Sequence, residues 1–354
     1  MIRTGAGGAA APECGHRFDL RGKGSVVQGR TILVTGGAGY VGSHVCKSLA
    51  AEGFRPVAVD SLSRGHESAV KWGPLERVDL TDEARLKGVI AQYRPGAVMH
   101  LADLCDVGES LTDPAGYYHN NLVGSLNLLK GMLDQGVRSI VFSSSCAIYG
   151  VPGTLPIPET QAKVPITPYG VGKLVVEHML RDFSMAYGIG YVCLRFFNAA
   201  GADPEGEIGE SHRPETHVIP LAIESALGER SCFEIFGTDY ETPDGTAVRD
   251  FVHVSDLAAA HVMALRYLSE GGRSAEVNLG TGQGHSVKQI VAAVERLSGR
   301  PVPVKEGSRR TGDASILVAD VSRAFKILGW TPKYATLDDI VATALNWHRN
   351  PFFD

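Results

Sequence analysis

The sequence predicts an α/β protein, a doubly wound parallel sheet followed by a smaller mixed α/β domain, and three observations carry that prediction. From residue 31 to about residue 200, short β-rich runs alternate with longer helical ones, the pattern of parallel strands covered by helices on both faces. Thr31-Ile-Leu-Val-Thr35 runs directly into Gly-Gly-Ala-Gly-Tyr-Val-Gly42, a buried strand that turns through glycines into a helix. After residue 200 the rhythm changes: Gly201-Ala-Asp-Pro-Glu-Gly-Glu-Ile-Gly-Glu210 is glycine-rich, acidic and loop-like.

Taken in order, strands are expected at 31–35, 56–60, 75–78, 97–101, 139–144 and 191–196, and helices near 41–52, 82–93, 115–134 and 168–187. Beyond them, strands at 233–236, 276–279 and 316–319 mix with helices near 218–228, 255–269, 286–298 and 336–348. No internal repeat interrupts this order.

The glycine turn is the first element with chemistry in it. Gly36, Gly39 and Gly42 let backbone approach a dinucleotide diphosphate closely. The helix that opens at Tyr40 and Val41 offers unpaired N–H groups and the positive end of its dipole. Asp60 closes the second expected strand 18 residues after Gly42, where an acid grips adenosine ribose hydroxyls. An Asp at a strand end can instead cap a turn; the spacing behind the glycines favours the ribose. An acid there selects NAD over NADP, whose extra phosphate it would repel. The chain therefore divides into a low-complexity N-terminal extension, 1–29, expected to be disordered; a Rossmann-like NAD-binding domain, 30–199; and a smaller substrate domain, 200–354, with the chain free to cross between the last two.

Tyr169-Gly-Val-Gly-Lys173 is the one Tyr-x-x-x-Lys among eleven tyrosines. On a helix the two side chains share a face. A nearby ammonium and a positively charged nicotinamide stabilise phenolate and lower the phenol's pKa from about 10, making Tyr169 a base. A helix start after Pro168 with a packed Tyr and a solvated Lys is the bland alternative. Val141-Phe-Ser-Ser-Ser145 shifts the balance by supplying a serine-rich strand end upstream. Ser145 is assigned the hydroxyl that bonds the reacting oxygen, whereas Ser143 and Ser144 are expected to satisfy backbone groups.

The Gly-x-x-Gly-x-x-Gly spacing resembles the extended short-chain dehydrogenases/reductases. Leu194-Arg-Phe-Phe-Asn-Ala-Ala-Gly-Ala-Asp-Pro-Glu-Gly-Glu-Ile-Gly-Glu210, Phe236-Gly-Thr-Asp-Tyr240, Asp244-Gly-Thr-Ala-Val-Arg-Asp-Phe-Val-His253 and Arg309-Arg-Thr-Gly-Asp313 are similar to the UDP-glucose 4-epimerase family within that group. The resemblance covers nearly all of residues 30–350. It implies an isomerase that inverts a sugar hydroxyl through a 4-keto intermediate, with NAD held as a recycled prosthetic group, interconverting UDP-galactose and UDP-glucose. It implies cofactor contacts from Asp79, Leu80, Asn120, Ser143 and Phe197 beside those above. On the substrate side it implies Asn198 and the following Ala-Ala-Gly near the diphosphate, and Arg249 and Arg310 neutralising it. Asp313 would hold the ribose, Phe236 would line the uracil, and His217 and Val218 would lie along the nucleotide and sugar. Leu317 falls at the family's substrate-size gate, where its intermediate bulk leaves UDP-xylose/UDP-arabinose and UDP-N-acetylhexosamines open as alternatives. Asp103 and Cys105 depart from the family pattern, so altered cofactor contacts are expected. A sugar-nucleotide 4,6-dehydratase is disfavoured because Cys146 and Ala147 stand where it needs an acid/base pair. A non-catalytic NAD-dependent sensor is disfavoured because Tyr169, Lys173 and Ser145 are all present. A homodimer is a family expectation.

Composition excludes other classes. A net charge of −5 gives no reason to expect nucleic acid or an anionic membrane surface as partner, and no apolar run approaches the roughly 18–20 residues of a bilayer span. Six cysteines lie far apart without a Cys-x-x-Cys pair, which fits small core residues in a reducing cytoplasm. The twelve histidines show no metal-ligand spacing; His212 and His217 are separated by four intervening residues in a polar loop, and no metal is expected.

Overall fold

The computed structural model describes residues 30–310 and 313–350; the expected extension over 1–29 lies outside the described residues. β1 (Thr31–Thr35) leads through the glycine turn into α1 (Tyr40–Ala51), then β2 (Arg55–Asp60) and β3 (Leu75–Arg77). α2 (Glu83–Tyr93), β4 (Ala97–His100), α3 (Val107–Thr112), α4 (Pro114–Tyr118), α5 (Gly124–Asp134), β5 (Ser139–Ser145), α6 (Pro168–Tyr187) and β6 (Gly190–Phe196) follow. The second half comprises β7 (Asn198–Ala200), α7 (Val218–Leu227), β8 (Phe233–Phe236), β9 (Val248–His253), α8 (Val254–Ser269) and β10 (Ala275–Leu279). It ends with β11 (Gly284–Ser286), α9 (Val287–Ser298), β12 (Val304–Gly307), β13 (Ile316–Leu317), α10 (Ser322–Leu328) and α11 (Leu337–Arg349).

Seven strands form one parallel sheet in the order β10-β6-β5-β4-β1-β2-β3. Its strands read as continuous apolar runs because both faces are covered. Alternate residues of β1 go to opposite layers: Ile32 and Val34 pack with Val45 and Leu49 of α1 and Leu257 and Leu265 of α8. Leu33 packs with Leu86 of α2, Leu128 of α5 and Leu180 of α6. Each such leucine contributes about 1.5–3 kcal/mol on burial. The strand order reverses beside β1, so the crevice beyond β1 and β4 is the place where this topology accepts a ligand.

The chain returns to this sheet after residue 200, since α8 and β10 complete it. The remaining elements build a smaller unit. β9 pairs with β7, β11 and β13, β12 pairs with β8, and Ile219, Ile223, Phe251, Ile290 and Val341 form its core.

Several elements differ from expectation, among them α3 and α10, which were not expected. The helix expected over 115–134 is broken by a π turn, His119–Val123, a wide turn of a kind that often marks function; here Asn121 leaves the helix surface to bond the Leu104 backbone in both directions. β7, β9, β11 and β12 were not expected, being short or interrupted by charge, as in Val-Arg-Asp-Phe-Val-His of β9. The strand expected over 316–319 stops at Leu317, and Ala319 makes an isolated bridge to Ile157.

Candidate functional site

The glycine turn is tight against its surroundings. Gly36 has φ of +71°, and a Cβ there would sit 2.7 Å from the Ala102 backbone nitrogen. At Gly42 a Cβ would sit 1.9 Å from the Gly36 carbonyl oxygen. α1 starts at Gly39 without a side-chain cap, which leaves Tyr40, Val41 and their neighbours with amides open to an anion. Tyr40 turns its hydroxyl away, donating to the Gly201 carbonyl at 2.5 Å.

Asp60 ends β2 with both oxygens directed along the turn. Oδ2 accepts from Ala38 N at 3.0 Å and Oδ1 from Leu62 N at 2.8 Å. Burial raises its pKa, and these two amides oppose that rise. Around the same crevice, Leu80 is buried and Asp79 exposed, its Oδ1 accepting from Thr81. Asn120 is half-buried and donates to Asn121 Oδ1.

Tyr169, Lys173 and Ser145 converge at the carboxyl end of the sheet, all at most 7 % exposed. Thr167 caps α6 by accepting from Gly170 N, and Pro168 occupies the first turn. Lys173 Nζ donates to the Ser143 carbonyl at 2.6 Å, pairs with Asp103 Oδ2 at 2.5 Å, and stands 5.7 Å from the Tyr169 ring centre. The expected lowering of the phenol's pKa rests on the ammonium together with the nicotinamide charge, and the protein's own groups work against it. Tyr169 is raised well above the usual tyrosine value, first by burial and next by the Asp103 charge, with the Ser145 hydroxyl pulling the other way. Asp103 offsets the ammonium that was to activate the phenol.

The other serines also differ from expectation. Neither hydroxyl serves backbone: Ser143 Oγ lies 2.8 Å from His261 Nε2, and Ser144 donates to Glu177 Oε1 at 2.6 Å. Glu177 also holds Arg195 in two bonds, at 2.9 and 2.7 Å. Tyr169, Lys173 and Glu177 follow one another at four-residue steps on α6, a spacing that could have identified Glu177 as the brace of this helix. Cys105 is exposed and unpaired.

The substrate-side residues line the facing edge. Phe197 is buried with its N–H on the Leu279 carbonyl, and Asn198 follows half-buried in β7. Arg249 of β9 forms an ion pair with Asp313, and Arg310 lies over the Phe236 ring at 4.1 Å. Leu317 pairs with Arg249 across β13 and β9 and packs toward Cys146 and Phe197. His217 stands at the N-terminal end of α7, just before Val218, without a capping bond from its side chain. Burial opposes its charge, but Glu210 outweighs that and raises its pKa well above the ordinary imidazole value. The two histidines expected to be unrelated, His212 and His217, stand with ring centres 5.1 Å apart beside Glu210 and Glu215; a loop, unlike a helix, brings them together without regular spacing.

Among known proteins, the NAD dependent epimerase/dehydratase family model matches residues 32–280. A UDP-glucose 4-epimerase of Rhizobium leguminosarum bv. trifolii is 52% identical over 320 residues, 90% of this chain and 98% of the relative. The crystal structure of UDP-glucose 4-epimerase from Brucella ovis in complex with NAD superposes with a TM-score of 0.88 at 51% identity, covering 90% of this chain and 98% of that one. The enzyme from Bifidobacterium longum, in complex with NAD+ and UDP, gives a TM-score of 0.87 at 39% identity, covering 91% and 99%.

Proposed function

The chain belongs to the NAD dependent epimerase/dehydratase family, and we propose that it is the UDP-glucose 4-epimerase its relatives are named for, interconverting UDP-galactose and UDP-glucose. The observation that carries the chemistry is the buried Tyr169, Lys173 and Ser145 group at the mouth of the parallel sheet. NAD fits the residues present: the glycine turn has no room for a Cβ at Gly36 or Gly42, and the uncapped α1 and Asp60 suit a diphosphate and a ribose. Bound there, NAD would supply reversible hydride chemistry for C4 and a positive charge that favours the Tyr169 phenolate.

Tyr169 removes the proton of the sugar 4-hydroxyl and gives it back on the other face. Ser145 orients that oxygen, and Lys173, anchored on the Ser143 carbonyl, holds the cofactor ribose. Asp79 and Leu80 would take the adenine, Asn120 would brace the cofactor pocket, and Ser143 and Phe197 would add further cofactor contacts. Arg249 and Arg310 meet the UDP diphosphate as bidentate cations, with Asn198 beside it, Asp313 on the ribose, Phe236 against uracil, and His217 and Val218 along the nucleotide. A firm hold on UDP with few sugar contacts lets the sugar turn between the two half-reactions. On this reading residues 30–199 carry NAD and 200–354 the UDP-sugar, with α8 and β10 crossing back.

We also place the chain in a homodimer in the cytoplasm. Val107, Leu111, Val123 and Leu126 are exposed apolar residues on neighbouring helical segments, and the described cysteines are unpaired. Among the described residues no helix is long and apolar enough to cross a membrane. Light scattering tests the dimer. For the reaction, UDP-galactose incubated in heavy water should yield UDP-glucose with ordinary hydrogen at C4, because the hydride never reaches solvent. Deuterium at C4, or no conversion, would overturn the assignment.

A further inference from the structure

We propose that Glu210, His212, Glu215 and His217 form a binding site for one zinc-class divalent cation, a site apart from Tyr169, Lys173 and Ser145 that shares His217 with the nucleotide contacts proposed above and goes beyond that reaction. Each residue offers one ligand atom, and all four lie within 4.8 Å of one another. His217 Nδ1 stands 2.7 Å from Glu210 Oε1 and 3.1 Å from Glu215 Oε1. His212 Nδ1 stands 3.2 Å from Glu210 Oε1 and 3.9 Å from Glu215 Oε2. In a tetrahedral zinc site with bonds of ~2.0–2.1 Å, ligand atoms are separated by about 3.3 Å; the histidine–carboxylate separations, taken to either oxygen of Glu215, bracket that value.

Burial and hydrogen bonding point the same way. The Glu210 and Glu215 carboxylates are only 4 % and 6 % exposed, and two carboxylates so placed need positive charge close by. His217 Nδ1 bonds Glu215. Glu210 Oε1 and His212 Nδ1, both buried, lie within ion-pair distance of each other, and Oε1 also within that distance of His217, yet neither atom is in a well-aligned hydrogen bond. A cation at the centre would use both. The scaffold is fixed from outside the cluster: Trp347 Nε1 donates to the Glu210 carbonyl at 2.8 Å, and Glu215 Oε1 accepts from the Thr216 and His217 amides. The donor set, two imidazoles and two carboxylates, suits zinc and its neighbours better than calcium or magnesium.

A second group of acids shows the contrast. Asp203, Glu205 and Glu207 also converge, but Lys47 Nζ already sits among them at 2.9, 2.6 and 2.7 Å. That cluster holds a lysine ammonium, which is no metal ligand; the Glu210 cluster is paired only with imidazoles, which become metal ligands once neutral. The proposed ion would pin the loop between β7 and α7 against the cofactor side. His212 meets the Tyr40 ring edge-on at 6.3 Å, and Ser211 O accepts a contact from His66 Nε2 at 2.7 Å.

The test uses untagged full-length protein stripped with EDTA and then given ZnCl2 alone, with metal content measured by mass spectrometry after dialysis. One zinc per chain is expected, with a higher melting temperature. His212→Ala and the isosteric Glu215→Gln should each weaken binding by more than ~100-fold, beyond the 10- to 100-fold typical of losing a group outside the ligand set. Cobalt substitution should give an intense tetrahedral visible band without thiolate charge transfer. No zinc uptake by the parent protein, undiminished uptake by both variants, or a thiolate band would each overturn the proposal. None of these readings depends on epimerase activity, so failure here leaves the proposed reaction standing.

Discussion

The two sides of the crevice are built differently. On the cofactor side, the glycine turn closes on backbone at less than 3 Å from a Cβ added at Gly36 or Gly42, and Asp60 is already held by two amides. On the nucleotide-sugar side, the charged groups are more open and satisfy one another: Arg249 pairs with Asp313, and exposed Arg310 rests on Phe236. The first arrangement presents a fixed cradle at the edge of a parallel sheet. The second must exchange internal partners for a ligand's, which lowers the net gain from binding and favours release. A reaction that keeps its cofactor through many turnovers while substrate and product come and go requires that asymmetry.

The comparison can be broken hardest from the cofactor side. Gly36→Val places a β-branched side chain at positive φ against the Ala102 backbone. The expected outcome is protein purified without NAD and without turnover, with circular dichroism confirming the fold; a variant that retains NAD would show that the cradle is less rigid than its geometry. Next in size, Tyr169→Phe removes the acid/base and should lower kcat by about 10²–10⁴-fold, with bound NAD unchanged by absorbance. Full-rate turnover would remove Tyr169 from the mechanism.

Arg249→Ala should separate the two sides. Losing a charge-assisted contact weakens UDP binding on the order of 10- to 100-fold in calorimetry, while NAD content stays the same. Equal loss of both ligands would merge the two sites into one. The smallest effect is expected at Asp103→Asn. Burial comes first among the causes that raise Tyr169, and the Asp103 charge second. Neutralising Asp103 lowers the folded pKa, so phenolate forms at lower pH and the acid limb of the pH profile moves down. An unmoved limb with lower kcat would make Asp103 a structural residue only.

How far the sequence reached follows from burial. β1, β5 and β6 were legible because strands covered on both faces leave continuous apolar runs. β9 was not, because Arg249 and Asp250 interrupt it. Asp250 nevertheless sits wholly buried, its carboxylate accepting from the Thr281, Gly282 and Ala319 amides, a solution that only the folded chain supplies. Tyr169 and Lys173 were legible because one helix spaces them. Asp103 was visible as a departure, but its pairing with Lys173 joins residues 70 positions apart across β4 and α6. The Glu210–His217 group escaped for the opposite reason: its residues are neighbours in sequence, yet a loop imposes no period by which to recognise convergence.

The most direct test is to dialyse the purified protein exhaustively, add UDP-galactose and no NAD, and follow UDP-glucose formation alongside the NAD released on denaturation. The account predicts turnover and about one retained NAD per chain. Turnover that appears only when NAD is added stoichiometrically would contradict it.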